Sequence, residues 1–368
     1  MLNSKYRNGH APDYVLILGT FFLVIFGLIM LASASSDLGQ AKFGESYFYI
    51  KHQIIYGLTL GIIGFIFASK FYYRHFQNLT VILLLTSLVL LILIFTPLGF
   101  ISGGAARWLK IGPIIFQPSE LLKITFIAYL ASWLSNKSHR QKNFWGGLIP
   151  FLMILGLVTL LLILQPSTST AAILGITALI IYFNSGAKIS YIIGTILLGL
   201  SAFLIISYLT PYRWQRIMTF FNPDTNTQTS SYQLNQALIA IGSGGLWGVG
   251  YGKSTTKLHY LPQPIDDSIF AVIAEEFGFI GSMLLISVFI MIIIRSFLLS
   301  RKIPEEFGKL LLVGFGSLIA IQTFTHIGAN TGLLPLTGVP LPYISYGGTA
   351  LAIFMTISGI MVNISKYT

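Results

Sequence analysis

Ten stretches of mostly apolar residues divide this chain, and their lengths constrain its fold more than any other feature. An α-helix rises about 1.5 Å per residue, so about 17 to 25 apolar residues cross a hydrocarbon layer of about 30 Å. The stretches lie at 14–34, 53–68, 79–95, 116–134, 148–164, 168–183, 189–209, 269–295, 310–329 and 344–364. Lipid offers the backbone no hydrogen-bond partners, so such segments must be helical. The sequence therefore predicts an all-α polytopic membrane protein with about ten transmembrane helices, in a single domain covering residues 1–368.

The composition agrees with a membrane protein and excludes several kinds of chemistry. Charged residues make up 9% of the chain and hydrophobic residues 54%, whereas about a quarter of the residues in soluble domains are charged. The chain has no cysteine, which excludes thiol nucleophiles, disulfides and thiolate metal sites. Its net charge of +11 comes from basic residues scattered over short loops. This distribution argues against binding to nucleic acid.

The loops between the apolar stretches predict how the chain is oriented. With the N-terminus inside, the inner loops are short and carry more Lys and Arg than the outer loops, as the positive-inside rule requires. Both termini are therefore predicted on the cytoplasmic side. One outer connection is far longer than the others and runs over residues 211–266, between the seventh and eighth stretches. Its aromatic and apolar content favours a packed cap over disorder, with an interfacial helix at 232–241.

Glu120, Lys123, Glu275 and Glu276 are charged residues that lie well inside predicted membrane stretches. Such residues cost about 2.5 to 3.5 kcal/mol each and are functional candidates by default. Glu120 and Lys123 are three residues apart and share one helix face. They form either a structural ion pair that orients two helices, or a site in which Lys123 binds a phosphate and Glu120 positions it. Glu275 and Glu276 are expected to order the interior of the bundle.

Two adjacent aspartates, Asp266 and Asp267, end the long connection at the outer start of the eighth stretch. The helix dipole favours a carboxylate there, and N-capping accounts for one of them. Two acids exceed what a cap needs, and a carboxylate at the membrane surface can also act as a general base or metal ligand. Six cations face the same side, and at least half of them are expected to be solvated charges: Arg107, Lys110, Arg213, Arg216, Lys253 and Lys257.

Motifs along nearly the whole chain resemble those of one family, the SEDS proteins of bacterial envelopes. They include Arg107-Trp108-Leu109, Gln117-Pro118-Ser119-Glu120-Leu121-Leu122-Lys123, Gly248-Val249-Gly250-Tyr251-Gly252-Lys253-Ser254, Asp267-Ser268-Ile269-Phe270 and Leu341-Pro342-Tyr343-Ile344-Ser345-Tyr346-Gly347-Gly348. Within the family, residues 245–248 and 257–262 are more similar to the division protein FtsW than to the elongation protein RodA. The family commonly has a His two residues before the aspartate and an aromatic residue after it, where this chain has Ile265 and Ser268.

The resemblance implies a ten-span peptidoglycan glycosyltransferase of the bacterial cytoplasmic membrane. It implies lipid II, the undecaprenyl-diphosphate-linked disaccharide-pentapeptide, as substrate and a class B penicillin-binding protein as partner. It also implies a catalytic aspartate, which corresponds to Asp267. Divalent cation binding, of Mg²⁺ or Mn²⁺, is left open, with Asp267 as the candidate ligand. The residues expected to bind substrate are Arg107, Glu120, Lys123, Lys253 and Asp266.

Polymerisation of such a substrate needs one base and a positive clamp, because a neutralised diphosphate is already a good leaving group. We expect Asp267 to activate the acceptor hydroxyl, with inversion at the anomeric carbon, while Lys123 and Arg107 stabilise the diphosphate. Two other functions use many of the same features. A flippase for the lipid-linked precursor predicts a polar path through both leaflets. A non-enzymatic scaffold for a class B penicillin-binding protein leaves the polar residues structural.

Overall fold

The structure is a computed structural model that describes residues 9–102, 105–112, 114–136, 140–221, 230–258 and 261–368. Helices dominate it, as the apolar stretches predict. The α-helices are α1 (Tyr14–Phe43), α2 (Phe48–His52), α3 (Thr59–Lys70), α4 (Tyr73–Leu93), α5 (Pro118–Ser135), α6 (Ile149–Leu164), α7 (Thr168–Asn184), α8 (Ile189–Leu209), α9 (Pro211–Phe221), α10 (Ser230–Ser243), α11 (Ile269–Ser300), α12 (Glu306–Asn330) and α13 (Gly348–Ser365). The protein therefore has the predicted polytopic helical fold.

Eight helical segments in the described ranges are long and apolar enough to cross a membrane. They are Tyr14–Phe43, Phe48–Lys70, Tyr73–Leu93, Phe144–Leu164, Ile189–Leu209, Ile269–Ser300, Glu306–Asn330 and Gly348–Ser365. The other two predicted stretches form α5, which carries Glu120 and Lys123, and α7, which is 17 residues long. The exact count of ten spans stays a prediction.

The helices are arranged around α12, which packs against α5, α7, α11 and α13. In its most apolar window 72% of the residues are buried, compared with 6% in α8. α8 therefore lies at the periphery, where its apolar side chains are available to lipid. α3 and α13 approach closely at Gly61 and Gly64, where an added Cβ would overlap Met355 and Thr356. Small residues at a helix contact are typical of membrane bundles.

A small sheet in the connection from α4 to α5 is an addition to the predicted all-α architecture. Its antiparallel strands are β1 (Gly99–Ser102), β2 (Ala105–Ile111) and β3 (Ile114–Phe116), in the order β1-β2-β3. Phe100 pairs with Trp108, and Lys110 pairs with Ile115. The strands are three to seven residues long, which is too short to appear as an apolar stretch of membrane length. They place Arg107 on β2.

The long connection is folded, and its predicted helix is confirmed. α10 covers the predicted segment 232–241 and packs against α11 and α12. α9 precedes it, and a short 3₁₀ turn at Thr256–Leu258 follows it. The predicted loop residues 222–229 and 259–260 lie outside the described ranges. The described part of this connection is therefore a packed cap, as its aromatic content predicts.

α11 contains a break at Gly278, where φ is 66° and ψ is −165°. The break interrupts the helical hydrogen bonds, and lipid cannot replace the lost partners. Backbone groups of the cap supply them instead. Val249 N donates to Glu275 O (3.0 Å), and Ile280 N donates to Leu246 O (3.1 Å). The cap is thus joined to α11 by backbone hydrogen bonds on both sides of Gly278.

Candidate functional site

Asp267 lies just before the first turn of α11, in the position where the sequence suggests an N-cap. The N-cap residue is Ser268, and its side chain makes no capping bond to the helix. The Ser268 hydroxyl donates instead to Pro262 O (3.0 Å) and accepts from Gln233 Nε2 (3.2 Å). Asn330 Nδ2 donates to the backbone oxygen of Asp267 (2.9 Å). N-capping therefore does not account for the Asp267 carboxylate.

The Asp267 side chain lines a small cavity at the end of the bundle. The cavity measures about 10 Å³, which accommodates about one water-sized group. Its lining residues come from α9, α10, α12, the end of the long connection and the connection that follows α12, and they are Arg216, Gln233, Asp267, His326, Ala329, Leu336, Thr337, Gly338 and Val339. The surface that lines it is mostly polar. The structure thus brings a carboxylate, a guanidinium, an imidazole and an amide together at one point.

One wall of this cavity is formed by residues 336–339 of the 336–340 segment, which lies between α12 and α13. Four of its five carbonyl groups accept hydrogen bonds from side chains of other elements. The donors are Arg216 to Leu336 O (3.0 Å), Ser169 to Thr337 O (2.8 Å), His326 Nδ1 to Val339 O (2.7 Å) and Gln322 to Pro340 O (2.9 Å). At Gly338, where φ is 63°, an added Cβ would lie 3.3 Å from Asp267 Oδ2. The segment is therefore held firmly against the carboxylate.

Two arginines set the electrostatic environment of Asp267. Burial raises the pKa of Asp267, and the positive charges of Arg216 and Arg107 partly offset this rise. Arg107 on β2 donates to the carbonyls of Gln165 and Pro166, at the turn between α6 and α7. These contacts place the predicted residue Arg107 on the Asp267 side of the bundle. A carboxylate with a raised pKa is a better proton acceptor near neutral pH than an ordinary one.

Asp266 has different surroundings from Asp267. Burial raises the pKa of Asp266 to about 7, the charge of Asp267 adds to the rise, and Lys42 opposes it. Tyr49 and Tyr346, whose rings meet edge to face at 5.2 Å, also lie within electrostatic range of Asp266. The Asp266 backbone oxygen accepts from Ser345 Oγ (2.8 Å). Asp266 thus faces an aromatic cluster, and it is not among the residues that line the Asp267 cavity.

Glu120 and Lys123 form a buried ion pair on α5. The Lys123 ammonium lies 2.6 Å from Glu120 Oε1 and 2.9 Å from Gln322 Oε1, and 5.3 Å from the centre of the Phe354 ring. The Lys123 side chain is 2% exposed and the Glu120 side chain is 3% exposed. This geometry is that of the structural ion pair, the first of the two interpretations. A substrate phosphate can reach Lys123 only if the surrounding side chains move, so its binding of phosphate stays a prediction.

Glu275 and Glu276 order the interior, as expected, by holding the cap. Glu275 accepts from the backbone nitrogen of Thr255 (3.0 Å). Glu276 pairs with Lys257 (2.8 Å) and accepts from Ser33 Oγ of α1 (2.6 Å). Lys257 was expected among the outward-facing cations, but its side chain is only 4% exposed. Sequence cannot pair it with Glu276, because the contact depends on how the cap folds back onto α11.

The remaining predicted residue, Lys253, is exposed in a turn that follows Gly250. Its side chain is not among those lining the Asp267 cavity. Conversely, three residues of the site were missed or undervalued in the sequence. The sequence gives no reason to select His326, which is isolated in the chain, or Gln322, which is neutral, and Arg216 is one of six similar cations. The spacing of Gln322 and His326, four residues apart on one helix face, was the available signal.

The donor groups around Asp267 limit how a divalent cation could bind. Within the described ranges, no three His, Asp or Glu side chains cluster as an all-protein metal site. Asp267 supplies one carboxylate, with the Arg216 guanidinium in the same cavity. Mg²⁺ is commonly held by one or two carboxylates together with substrate phosphates. The residues present therefore fit a cation that arrives with a phosphate ligand, held on the protein side by Asp267.

Known proteins share both the sequence and the fold of this chain. The family model for FtsW, RodA and SpoVE, described as cell cycle proteins, matches residues 14–368. Stage V sporulation protein E of Bacillus subtilis is 36% identical over 359 residues, covering 97% of this chain and 98% of that protein. A probable peptidoglycan glycosyltransferase FtsW of Geobacter sulfurreducens is 36% identical over 354 residues, covering 96% and 95% of the two chains.

Solved structures extend the comparison. The rod shape-determining protein RodA of Thermus thermophilus has a TM-score of 0.69 at 26% identity, with 97% of both chains covered. A chain of a peptidoglycan synthase complex has a TM-score of 0.80 at 24% identity, covering 96% of this chain and 98% of that chain. These likenesses run over almost the entire length, so the overall polytopic helical fold is shared. The chain belongs to the FtsW/RodA/SpoVE family of cell cycle proteins.

Proposed function

We propose that this chain is a peptidoglycan glycosyltransferase that polymerises lipid II at the outer face of the bacterial cytoplasmic membrane. The observation that carries the proposal is the Asp267 cavity, in which one carboxylate with a raised pKa shares a polar pocket with Arg216. The family supports the reaction, since several relatives are named as probable peptidoglycan glycosyltransferases. In this proposal both termini lie in the cytoplasm, so the Asp267 end of α11 faces outward.

The proposed reaction joins the growing glycan to a new disaccharide unit. Asp267 accepts the proton of the acceptor sugar hydroxyl as its oxygen attacks the anomeric carbon of the donor. The bond from that carbon to the diphosphate oxygen breaks, and the configuration at the carbon inverts. The lipid diphosphate leaves as an anion, and Arg107 and Arg216 stabilise its charge. One base and a positive clamp are sufficient for this chemistry.

The other predicted substrate contacts complete the proposal. Lys253, exposed on the cap, and Asp266, beside Asp267, contact the sugar or peptide portions of the substrate. Glu120 and Lys123 support the site from within the bundle. Asp267 is the residue that would hold Mg²⁺ or Mn²⁺, and such a cation would help to neutralise the leaving diphosphate. A class B penicillin-binding protein, which cross-links the product strands, is the proposed partner.

The experiment is a polymerisation assay on the purified protein in detergent with lipid II, with and without a class B penicillin-binding protein. Detergent removes compartments, so transport cannot contribute to the product. We expect glycan strands from the wild type and at least about a 100-fold loss in Asp267→Asn, because the base is removed. Asp37→Asn, which alters an exposed carboxylate near the end of α1, is the matched control and should keep full activity. Adding EDTA tests the cation.

A flippase is the alternative that shares the membrane fold and the lipid-linked substrate. A flippase would move lipid II across liposome membranes without forming strands. Asp267→Asn alone would not distinguish a flippase from a glycosyltransferase. A scaffold would bind its penicillin-binding protein and form no strands of its own. If the wild-type chain forms no glycan strands even together with an active class B penicillin-binding protein, the glycosyltransferase proposal is wrong.

A further inference from the structure

Lys123 is buried at a distance from the cavity, yet a continuous series of hydrogen bonds joins it to the cavity wall. Its ammonium donates to Gln322 Oε1 (2.9 Å), and Gln322 Nε2 donates to Pro340 O (2.9 Å). Pro340 ends the 336–340 segment, whose Gly338 lies against the Asp267 carboxylate. Neither Lys123 nor Gln322 lines the cavity. Any influence that they have on Asp267 must pass through this segment.

We propose that Lys123 is a positioning residue that acts through Gln322 on the 336–340 segment, and so fixes the wall against which Asp267 works. The proposal rests on the glycosyltransferase function proposed above and assigns a role to a pair of residues, Lys123 and Gln322. It replaces direct phosphate binding as the role of Lys123. Glu120 then serves to hold the ammonium in place and to balance its charge.

The chemistry of an amide explains why a lysine is needed. A glutamine side chain has one end that only accepts hydrogen bonds and one end that only donates them. The Lys123 ammonium can only donate, so it selects the orientation in which Oε1 faces Lys123 and Nε2 faces Pro340 O. The reverse orientation would also place Gln322 Oε1 against Pro340 O, so Lys123 and Pro340 both oppose it, and removing the ammonium removes one of these two constraints. The lysine therefore strengthens the orientation in which Gln322 donates toward Pro340 O.

Burial strengthens this effect. Lys123 and Gln322 are both buried, so water does not compete for the hydrogen bond between them. The bond to Pro340 O belongs to a set of four that hold the segment, and His326, Ser169 and Arg216 provide the others. Losing one bond of four is expected to shift the segment rather than to unfold it. A displacement of about 1 Å at a reacting group can lower a rate by about 100-fold.

The test compares Lys123→Met with Gln322→Glu. The glutamate keeps the size of the side chain and can still accept from Lys123, but it has no donor for Pro340 O. Both variants are expected to lower kcat for lipid II polymerisation by about 10- to 100-fold, with KM within about twofold of the wild type. Thr323→Val, a buried change next to Gln322, is the control and should have no effect.

A second readout does not depend on activity. Hydrogen exchange of peptides that contain residues 336–345 should speed up in Lys123→Met and in Gln322→Glu, and stay unchanged in Thr323→Val. If Lys123→Met leaves this exchange unchanged while KM rises, Lys123 binds substrate directly and the proposal is wrong. If Lys123→Met does not fold, Glu120→Gln combined with Lys123→Met removes the buried charge pair and takes its place. A wild type without polymerase activity would refute the glycosyltransferase function, whereas the exchange result would still decide the role of Lys123.

Discussion

Asp266 and Asp267 are adjacent in the chain, but the fold gives them different surroundings. Asp267 lines a polar cavity with Arg216 and lies against the backbone of Gly338. Asp266 faces the aromatic cluster of Tyr49 and Tyr346, and its pKa is raised to about 7. Both carboxylates resist ionisation because of burial, but only Asp267 has two arginines that partly restore it. The difference shows that the neighbours of an acid, rather than its position before a helix, determine its chemistry.

The largest expected effect separates the two acids directly. Asp266→Asn should keep kcat for lipid II polymerisation within about threefold of the wild type, against the loss of at least about 100-fold expected for Asp267→Asn. Both substitutions remove a charge and keep the side-chain size, so the comparison isolates the position. Initial rates of lipid II consumption provide the measurement. Equal losses in the two variants would mean that the acids act as a pair.

A smaller effect is expected from the cation next to Asp267. The charge of Arg216 lowers the pKa of Asp267, so Arg216→Gln should raise that pKa and move the acidic limb of the pH–rate profile to higher pH. We also expect kcat at neutral pH to fall by about 10-fold. Glutamine keeps a donor for Leu336 O. The control is Arg213→Gln on the same helix, whose guanidinium donates to Ile163 O (3.1 Å), and it should leave the limb in place.

The smallest effect concerns Asp266 and appears in stability rather than in rate. Its folded-state pKa of about 7 lies above the ordinary value of 3.8, so the folded protein favours the protonated acid. The resulting stabilisation is complete below about pH 4 and is lost as the pH rises toward 7. Asp266→Asn removes this titration. Between pH 5 and pH 8 the melting temperature of the wild type should therefore decrease by a few degrees more than that of the variant. If both melting temperatures change equally with pH, the raised pKa of Asp266 is wrong.

The sequence predicts most of the fold because membrane helices are encoded locally. The apolar length of each stretch is sufficient to predict a helix, and the aromatic residues of the long connection were sufficient to predict a packed cap with α10. The sheet at 99–116 was not predicted, since strands of three to seven residues carry no signal in a window of membrane length. The helices and the packed cap were therefore predictable from local patterns, whereas the short sheet was not.

The site was predictable only in part, because its members meet through tertiary contacts. Asp267 was identified from its place in a motif, and Arg107 does lie on the same side of the bundle. The sequence predicts Lys257 at the surface. Its partner Glu276 is 19 positions away, and only the fold of the cap brings the two side chains together. His326 is isolated in the sequence, and only the fold brings Val339 and Asp267 to the same cavity. No spacing rule connects these positions.

The break in α11 has a consequence for how this protein can evolve. A Cβ at Gly248 would overlap the Glu276 carbonyl, and a Cβ at Gly278 would overlap the Gly248 backbone. Each glycine is thus required by the backbone of the other segment, so neither can be replaced first and later compensated at the other. The four backbone bonds between 245–250 and 275–280 also fix the register of the two segments. In evolution, an insertion or deletion within 245–250 or 275–280 would shift one segment against the other and break these bonds.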